Sequence, residues 1–206
     1  MLKAILHRLV AIPQVYDLVQ DLAGGRKVYK WLSKYTAEAH ESQTFLDVGC
    51  GTGLTTRLLE LKCRYVGLDI DAQKLEQFQQ HPPERFAMVA DGAKMPVPEQ
   101  SVDIALVIFV VHHLTDDTFC QVLAELDRVV TDAGRIIIVD PLWDTRRWLS
   151  RMMWALDRGA YPRTSETLTR LLSDHFTVEH KGYLTIYHRY QLTVLRKKRS
   201  QHERLE

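Results

Sequence analysis

The chain has few cysteines, little net charge and no long apolar run, and each shortage excludes a class of protein. The three cysteines among its 206 residues, Cys50, Cys63 and Cys120, have neither the density of a disulfide framework nor the spacing of metal ligands. We therefore expect a cytoplasmic protein without a metal site. The formal net charge is +1, so the charge balance gives no reason to expect nucleic acid as a partner.

The longest apolar run, residues 102–111, is as long as a fully buried strand and shorter than the roughly 20 residues of a bilayer crossing. Residues 1–12 place apolar side chains on one helical face and basic side chains opposite, without the cleavage site of a signal peptide. Two interpretations fit this segment. One is a helix that packs on its own domain, and the other is an interfacial helix that makes peripheral contact with a membrane.

One short stretch organises the rest of the pattern. An apolar strand ends in Asp47 and breaks into Gly49, Gly51 and Gly53, and residues 54–61 then carry apolar side chains at helical spacing. In a parallel α/β sheet such a turn lies at the carboxyl end of a strand, where ligands bind. The turn is one residue shorter than the dinucleotide fingerprint Gly-x-Gly-x-x-Gly, which favours a nucleoside ligand that is less phosphate-directed.

Two further apolar runs also end in an acid. Asp69 follows the first glycine by about twenty residues, where a carboxylate accepts hydrogen bonds from both ribose hydroxyls. Asp91 closes the run that begins at Phe86, in a position where a carboxylate can accept from an adenine amino group. The alternation predicts strands over 44–48, 65–69 and 86–90 and helices over 54–61 and 72–80.

In this order, the residues resemble the class I S-adenosylmethionine-dependent methyltransferases, and especially the type 11 group. The resemblance covers roughly residues 44–141. It implies S-adenosylmethionine as cofactor and a Rossmann-like α/β fold, whose seven-stranded sheet has the order 3-2-1-4-5-7-6 with strand 7 antiparallel and helices on both faces. The alternative is a doubly wound domain that binds no cofactor.

The resemblance also implies roles for single residues. Asp47 orients the glycine turn and the cofactor's ammonium, Asp69 accepts from ribose, and Ile70 packs on adenine. Asp91 accepts from the adenine amino group, and the two small residues after it allow close approach. The predicted cofactor-binding residues are Asp47, Gly49, Cys50, Gly51, Gly53, Asp69, Ile70, Asp91, Gly92, Ala93 and Phe109.

His112 is the candidate catalytic base, because it follows the fourth predicted strand at the substrate end and imidazole titrates near neutral pH. A structural role fits His112 or its neighbour His113 equally well. Phe109 stands where amide- and base-modifying members of the family carry Asn or Asp before Pro-Pro-Tyr, and the chain has no Pro-Cys pair for attack on pyrimidine. Both absences favour a small-molecule acceptor.

After residue 141 the chain departs most from a minimal methyltransferase core. Three of its four tryptophans, Trp143, Trp148 and Trp154, stand among arginines and methionines. The resemblance places this insertion over the substrate, where an apolar and partly cationic lid suits an apolar acceptor, whereas a helix packed into its own domain or a dimer fits equally. The predicted single domain has a helical cap over 1–43, a cofactor-binding core over 44–141, lid helices over 142–173, and a closing hairpin with a basic tail over 174–206.

Turn residues predict the ends of the last strands. Residues 131–134 turn the chain into a fifth strand over 135–140, and the final strands cover 176–181 and 185–195 with Gly182 in the connection. A helix from Ser165, capped by Thr164 or Ser165, precedes that hairpin.

These observations favour an enzyme that transfers a methyl group from S-adenosylmethionine to an O, N or C nucleophile of a small apolar metabolite. Two alternatives stay open: a cofactor-binding protein that does not methylate, such as a cyclase or a partner subunit, and a membrane-associated lipid or quinone methyltransferase. The sequence identifies neither the acceptor nor the oligomeric state.

Overall fold

The computed structural model describes residues 24–78, 85–144, 146–156, 159 and 161–198. They form a seven-stranded sheet with the order β3-β2-β1-β4-β5-β7-β6. The first five strands are parallel to one another, and β7 runs antiparallel to both β5 and β6. This topology confirms the predicted Rossmann-like α/β fold, its strand order and its antiparallel seventh strand.

The strands are β1 (Thr44–Val48), β2 (Arg64–Asp69), β3 (Arg85–Val89), β4 (Val102–Ile108), β5 (Val130–Leu142), β6 (Phe176–Thr185) and β7 (Arg189–Lys197). The described helices are α1 (Gly25–Thr36), α2 (Leu54–Leu58), α3 (Ala72–Phe78), α4 (Asp116–Val129), α5 (Trp148–Leu156) and α6 (Ser165–His175). A short 3-10 helix, Val111–His113, follows β4.

The sheet has an apolar core on each face, as expected where helices cover both sides. α4 and α6 pack on one face through side chains such as Leu123 and Leu172, and α1 and α3 pack on the other through Leu32 and Phe78. Successive residues of β4 contribute to the two cores in turn, because neighbouring side chains of a strand point to opposite faces. β4 therefore lies at the centre of the molecule.

Three predicted boundaries need correction. The strand expected over the apolar run 102–111 ends at Ile108, because Phe109 has a φ of 58° and turns the chain. The helix expected over 54–61 ends at Leu58, and the next residue is extended. β5 begins at Val130, and residues 131–134, predicted as a turn, belong to the strand. The register steps from the pair Val102–Val130 to the pair Ile104–Arg135, so the extra residues form a bulge.

The predicted position of the final turn is also wrong. Gly182 lies inside β6, opposite Leu192, and residues 186–188 connect the two strands. A Cβ atom at Gly182 would lie 3.0 Å from Cζ2 of Trp31. Glycine at this position therefore allows an α1 side chain to approach the strand closely. Close approach of a neighbouring group is a common reason for glycine within a strand. Thr164 caps α6, as expected, and accepts from the amide of Thr167.

The predicted N-terminal helix over 1–12 and the tail beyond residue 198 lie outside the described residues. Among the helices that the structure describes, none combines the length and the hydropathy that crossing a membrane requires.

Arg163 joins the segment before α6 to the turn after β4. Its side chain is buried and donates to the carbonyl oxygens of Val111 and Leu114, each at 2.8 Å. It also donates to the Asp116 carboxylate at 2.6 and 2.8 Å, and its guanidinium lies over the Phe119 ring, 5.3 Å from the centroid. The turn that carries His112 is thus held by one buried cation.

We expect Arg163→Met to lower the free energy of unfolding by about 2–4 kcal/mol, because buried carbonyl oxygens lose a charged donor. Urea denaturation measures this loss. Arg170→Met is the matched control: Arg170 pairs with Asp174 at 3.8 Å on the exposed side of α6, so its loss should cost less than about 1 kcal/mol. Equal losses in the two variants would contradict the importance assigned to Arg163.

Candidate active site

The glycine turn joins β1 to α2 through backbone conformations that favour glycine. Gly49, Gly51 and Gly53 have φ values of 80°, 53° and 84°. A Cβ atom at Gly49 would lie 2.3 Å from Cγ2 of Val110, so this glycine is needed for close packing against the turn after β4. At Gly51 an added Cβ would lie 3.8 Å from the Lys74 side chain and 3.9 Å from the Asp69 carboxylate, so the positive φ, and not a lack of space, requires glycine here.

Asp69 is held at the end of β2 by the neighbouring backbone. Its Oδ2 atom accepts from the amide of Gly51 and its Oδ1 atom accepts from the amide of Asp71, both at 2.8 Å. Each carboxylate oxygen has two lone pairs, so both remain able to accept another hydrogen bond. Ile70, the next residue, is 73% exposed at the same edge of the sheet.

Asp91 follows the neighbouring strand β3, whose last residue, Val89, pairs with Asp69. Its carboxylate is exposed and its Oδ1 atom accepts from the amide of Ala93 at 2.9 Å. A Cβ atom at Gly92 would lie 3.1 Å from Cγ1 of Val48, so the chain passes close to the end of β1 here. The three predicted acids thus lie at the carboxyl ends of three adjacent parallel strands, at one edge of the sheet.

Asp47 is fully buried at the end of β1, and only half of its carboxylate is satisfied. Its Oδ2 atom accepts from the Tyr65 hydroxyl at 2.6 Å, whereas its Oδ1 atom accepts no hydrogen bond within the described part of the chain. Burial raises the pKa of Asp47 from its ordinary 3.8 to about 6, although the hydrogen bond from Tyr65 lowers it. Such an oxygen suits a donor or a cation on a ligand.

Two of the predicted cofactor-binding residues lie differently from the others. The Cys50 side chain is buried against β2, and a Cβ atom at Gly67 would lie 2.7 Å from its Sγ atom. Burial also raises the pKa of this thiol, so Cys50 can offer only its backbone to a ligand. Phe109 holds a left-handed backbone conformation, and its ring lies between those of Tyr29 and Tyr190, at 6.5 and 5.7 Å.

The buried side chain of His112 pairs with that of Asp140. Asp140 is the residue of β5 that follows the buried apolar residues 136–139. The Nδ1 atom of His112 lies 2.9 Å from Oδ1 of Asp140, and both side chains are almost fully buried. Burial raises the pKa of Asp140, although His112 and Arg163 lower it. The neighbouring His113 is exposed, and its ring contacts that of His112 at 4.1 Å between centroids.

The sequence reasoning missed Asp140 although a signal was present. Residues 136–139 form an apolar run that ends in an acid, which is the same pattern that marked Asp47, Asp69 and Asp91. All four acids lie near the carboxyl ends of parallel strands, and Asp140 contacts His112 there.

The family model described as "Methyltransferase domain" matches residues 46–138, which contain the glycine turn, Asp69, Asp91 and His112. Residues 46–138 are therefore similar to a methyltransferase domain of the class I type. This confirms the resemblance seen in the sequence, together with S-adenosylmethionine as the cofactor that the resemblance implied.

Relatives of this methyltransferase domain occur among curated proteins and solved structures. The ubiquinone/menaquinone biosynthesis C-methyltransferase UbiE of Paraburkholderia xenovorans is 24% identical over 188 residues, which cover 80% of this chain and 76% of UbiE. The crystal structure of PH0226 protein from Pyrococcus horikoshii OT3 aligns with a TM-score of 0.70 and 19% identity over 90% of this chain and 92% of that one. The crystal structure of geranyl diphosphate C-methyltransferase from Streptomyces coelicolor A3(2) aligns with a TM-score of 0.67 and 13% identity, over 84% of this chain and 80% of that one. The chain spans less than half the length of the first three curated relatives that it matches, at 41%, 31% and 44%.

The raised pKa of Asp47 predicts a stability cost with a defined pH range. The folded-state pKa of about 6 lies above the ordinary 3.8, so the cost of ionising the buried carboxylate is nearly absent at pH 4, grows up to pH 6 and is complete above it. Asp47→Asn should therefore stabilise the ligand-free protein at pH 8 by about 1–3 kcal/mol, and by much less at pH 4.

Urea denaturation of the wild type and of Asp47→Asn at the two pH values measures this difference. Asp71→Asn, which changes a more exposed acid near the same crevice, should show no such pH-dependent gain. An equal effect of Asp47→Asn at pH 4 and pH 8 would show that ionisation of Asp47 is not its source.

Proposed function

We propose that the chain transfers a methyl group from S-adenosylmethionine to an O, N or C nucleophile of a small, apolar acceptor. The observation that carries this proposal is the fixed carboxylate of Asp69 beside the glycine turn. Two backbone amides orient that carboxylate before any ligand arrives, and it keeps lone pairs for the paired hydroxyls of a ribose.

The remaining residues of the crevice suit the other parts of the cofactor. The unsatisfied Oδ1 atom of Asp47 suits the ammonium of the methionine moiety, and exposed Ile70 offers an apolar surface to adenine. Asp91 suits the adenine amino group, with the small residues Gly92 and Ala93 beside it. In this proposal Phe109 borders the cofactor through the strained turn after β4, and Cys50 contributes its backbone alone.

Bound S-adenosylmethionine supplies a methyl group that its sulfonium activates. The chain must then orient the acceptor and remove its proton where the nucleophile carries one. We assign proton removal to His112 and its positioning to Asp140. When Nδ1–H of His112 donates to Asp140, Nε2 is the ring nitrogen that accepts a proton, and the carboxylate stabilises the imidazolium that forms.

The names of two relatives support an apolar acceptor. One is named for ubiquinone and menaquinone biosynthesis and the other for geranyl diphosphate, both of which combine an apolar body with polar oxygens. In our proposal α5 and the segment around it cover such an acceptor as a lid. Peripheral membrane contact through residues 1–12 stays a prediction about a segment outside the described residues.

Calorimetric titration with S-adenosylmethionine and S-adenosylhomocysteine tests the cofactor site. The wild type should bind both, and Asp69→Asn should bind both roughly 5- to 100-fold more weakly, as expected for an impaired hydrogen-bonding site worth about 1–3 kcal/mol. Asp71→Asn is the control and should bind like the wild type, since its side chain faces the start of α3. Unchanged affinity in Asp69→Asn would contradict the ribose assignment, and failure of the wild type to bind either compound would contradict the proposed function.

The same protein is then assayed for S-adenosylhomocysteine formation with a panel of phenols, apolar carboxylates and quinols. Product formation supports methyl transfer. Cofactor binding without product over the whole panel favours the alternative, a cofactor-binding protein that does not methylate.

With an acceptor from that panel, His112→Asn should lower kcat about 100-fold or more, without changing cofactor affinity, because proton transfer by a side chain contributes on that scale. Asp140→Asn should move the acidic limb of the kcat–pH profile to lower pH, since removal of a negative charge lowers the pKa of the histidine. His113→Asn is the control and should keep the wild-type profile. Superposable profiles of Asp140→Asn and wild type would exclude the positioning role of Asp140.

A further inference from the structure

A cavity of about 570 Å³ lies beside α5 and is lined by aromatic and smaller side chains. Trp143, Trp148 and Trp154 contribute rings to it, and Met152 and Arg151 contribute a thioether and a guanidinium. A cavity of this size accommodates an organic molecule of the size of many metabolites and drugs. The lining is therefore suited to a ring-bearing, largely apolar ligand.

Trp154 carries a polar atom that the described part of the chain leaves without a partner. The residue is 7% exposed, and its Nε1 atom is buried and donates to no acceptor there. Tryptophan N–H groups usually find an acceptor when they are buried. Two neighbouring buried polar pairs are complete, since Ser150 binds His188 at 2.8 Å and His112 binds Asp140 at 2.9 Å.

Trp154 also connects the cavity to the proposed catalytic pair. Its ring contacts the His112 ring edge-on, with centroids 5.5 Å apart and an interplanar angle of 77°. It contacts the His188 ring at 5.1 Å and the Trp143 ring at 6.4 Å. A molecule that receives a hydrogen bond from Trp154 therefore lies next to His112.

The outer side of the cavity is apolar and uncovered. Trp148 is 73% exposed and Met152 is 50% exposed, although both have large apolar side chains. A ligand body in the cavity removes part of this surface from water, which stabilises the bound state. Exposed Arg151 at the same helix face leaves space for a polar or anionic substituent on the ligand.

We propose that this cavity binds an apolar, ring-bearing molecule through a hydrogen bond from Trp154 Nε1–H to an oxygen of that molecule. The proposal rests on the proposed function in one respect, namely that the bound molecule is the methyl acceptor. The Nε1 atom is covered in the ligand-free protein, so binding requires a shift of the Trp154 side chain. The oxygen then accepts at the inner end beside His112, the ring lies among the tryptophans, and Trp148 and Met152 cover its outer part. Trp154 then selects for the oxygen, and the cavity selects for the ring.

A matched pair of probes separates the hydrogen bond from the apolar contact. 2-Acetonaphthone and 2-ethylnaphthalene have nearly the same shape, but only the ketone carries an acceptor oxygen. The wild type should bind the ketone about fivefold more tightly, as expected for one net hydrogen bond. Trp154→Phe keeps a ring and removes the donor, so it should bind the two probes equally. Trp148→Phe is the control: it changes another ring of the cavity, so it should weaken the binding of both probes alike and keep the preference for the ketone.

The indole signals of ¹⁵N-tryptophan-labelled protein provide a second measurement. The chain has four tryptophans, so the signal of Trp154 is the one missing from Trp154→Phe, or the one left unassigned after the other three are each replaced by phenylalanine. This signal should move downfield with 2-acetonaphthone and not with 2-ethylnaphthalene. A stationary signal with bound ketone, or a ketone preference retained in Trp154→Phe, would overturn the proposal.

Cofactor titration of the same samples separates this proposal from the proposed function. If S-adenosylmethionine binds but the ketone leaves the Trp154 signal unchanged, the acceptor site is wrong and the cofactor site stands. If the ketone moves the signal but no cofactor binds, the cavity is a ligand site and the methyltransferase function is wrong.

Discussion

The buried carboxylate of Asp47 is the constraint on which the crevice depends. Asp47 lies near the carboxyl end of β1, and the Tyr65 hydroxyl of the neighbouring strand donates to one of its carboxylate oxygens. Tyr65 itself stacks between Phe45 and Phe78, at 6.0 and 5.8 Å between ring centroids, so the donor cannot turn toward the second oxygen without disturbing the core. The open oxygen is therefore a consequence of tight packing on one side. A ligand that donates a hydrogen bond to this oxygen stabilises the folded protein, because it satisfies a buried polar atom that otherwise lacks a partner within the described residues.

The position of the crevice follows from strand order. β1 pairs with β2 on one side and with β4 on the other, so the chain leaves the ends of β1 and β4 in opposite directions across the sheet. The two turns still meet, because Gly49 has no side chain where Val110 packs. Phe109 adopts its left-handed conformation in the second of these turns. The cofactor side and the histidine side of the site thus share one contact, and neither turn can change shape alone.

The sequence was sufficient to predict the features that depend on local pattern, namely the parallel strands, the glycine turn and the acids that end apolar runs. The boundary errors arose where a local signal had two meanings. Gly182 resembled a turn residue but accommodates Trp31, and residues 131–134 resembled a turn but form a bulge in β5. The contact between His112 and Asp140 could not be predicted, for another reason. The apolar run 136–139 marks Asp140 as an acid at a strand end, but it is 28 residues from His112, and only the pairing of β4 with β5 brings the two side chains together. No local pattern contains that pairing.

The same limit explains why the tryptophan segment was ambiguous between a lid and a packing helix, and the structure gives α5 features of both. On the inner side, Ser150 is completely buried against His188 and Trp154 lies against two histidine rings, which fixes the helix to the hairpin and to the turn after β4. On the outer side, Trp148 and Met152 remain exposed around the cavity. Substitutions on the outer side remove few contacts that hold the fold, so they can change which molecule fits without loss of the domain. A helix of this kind separates stability from specificity, because different faces of one element serve each.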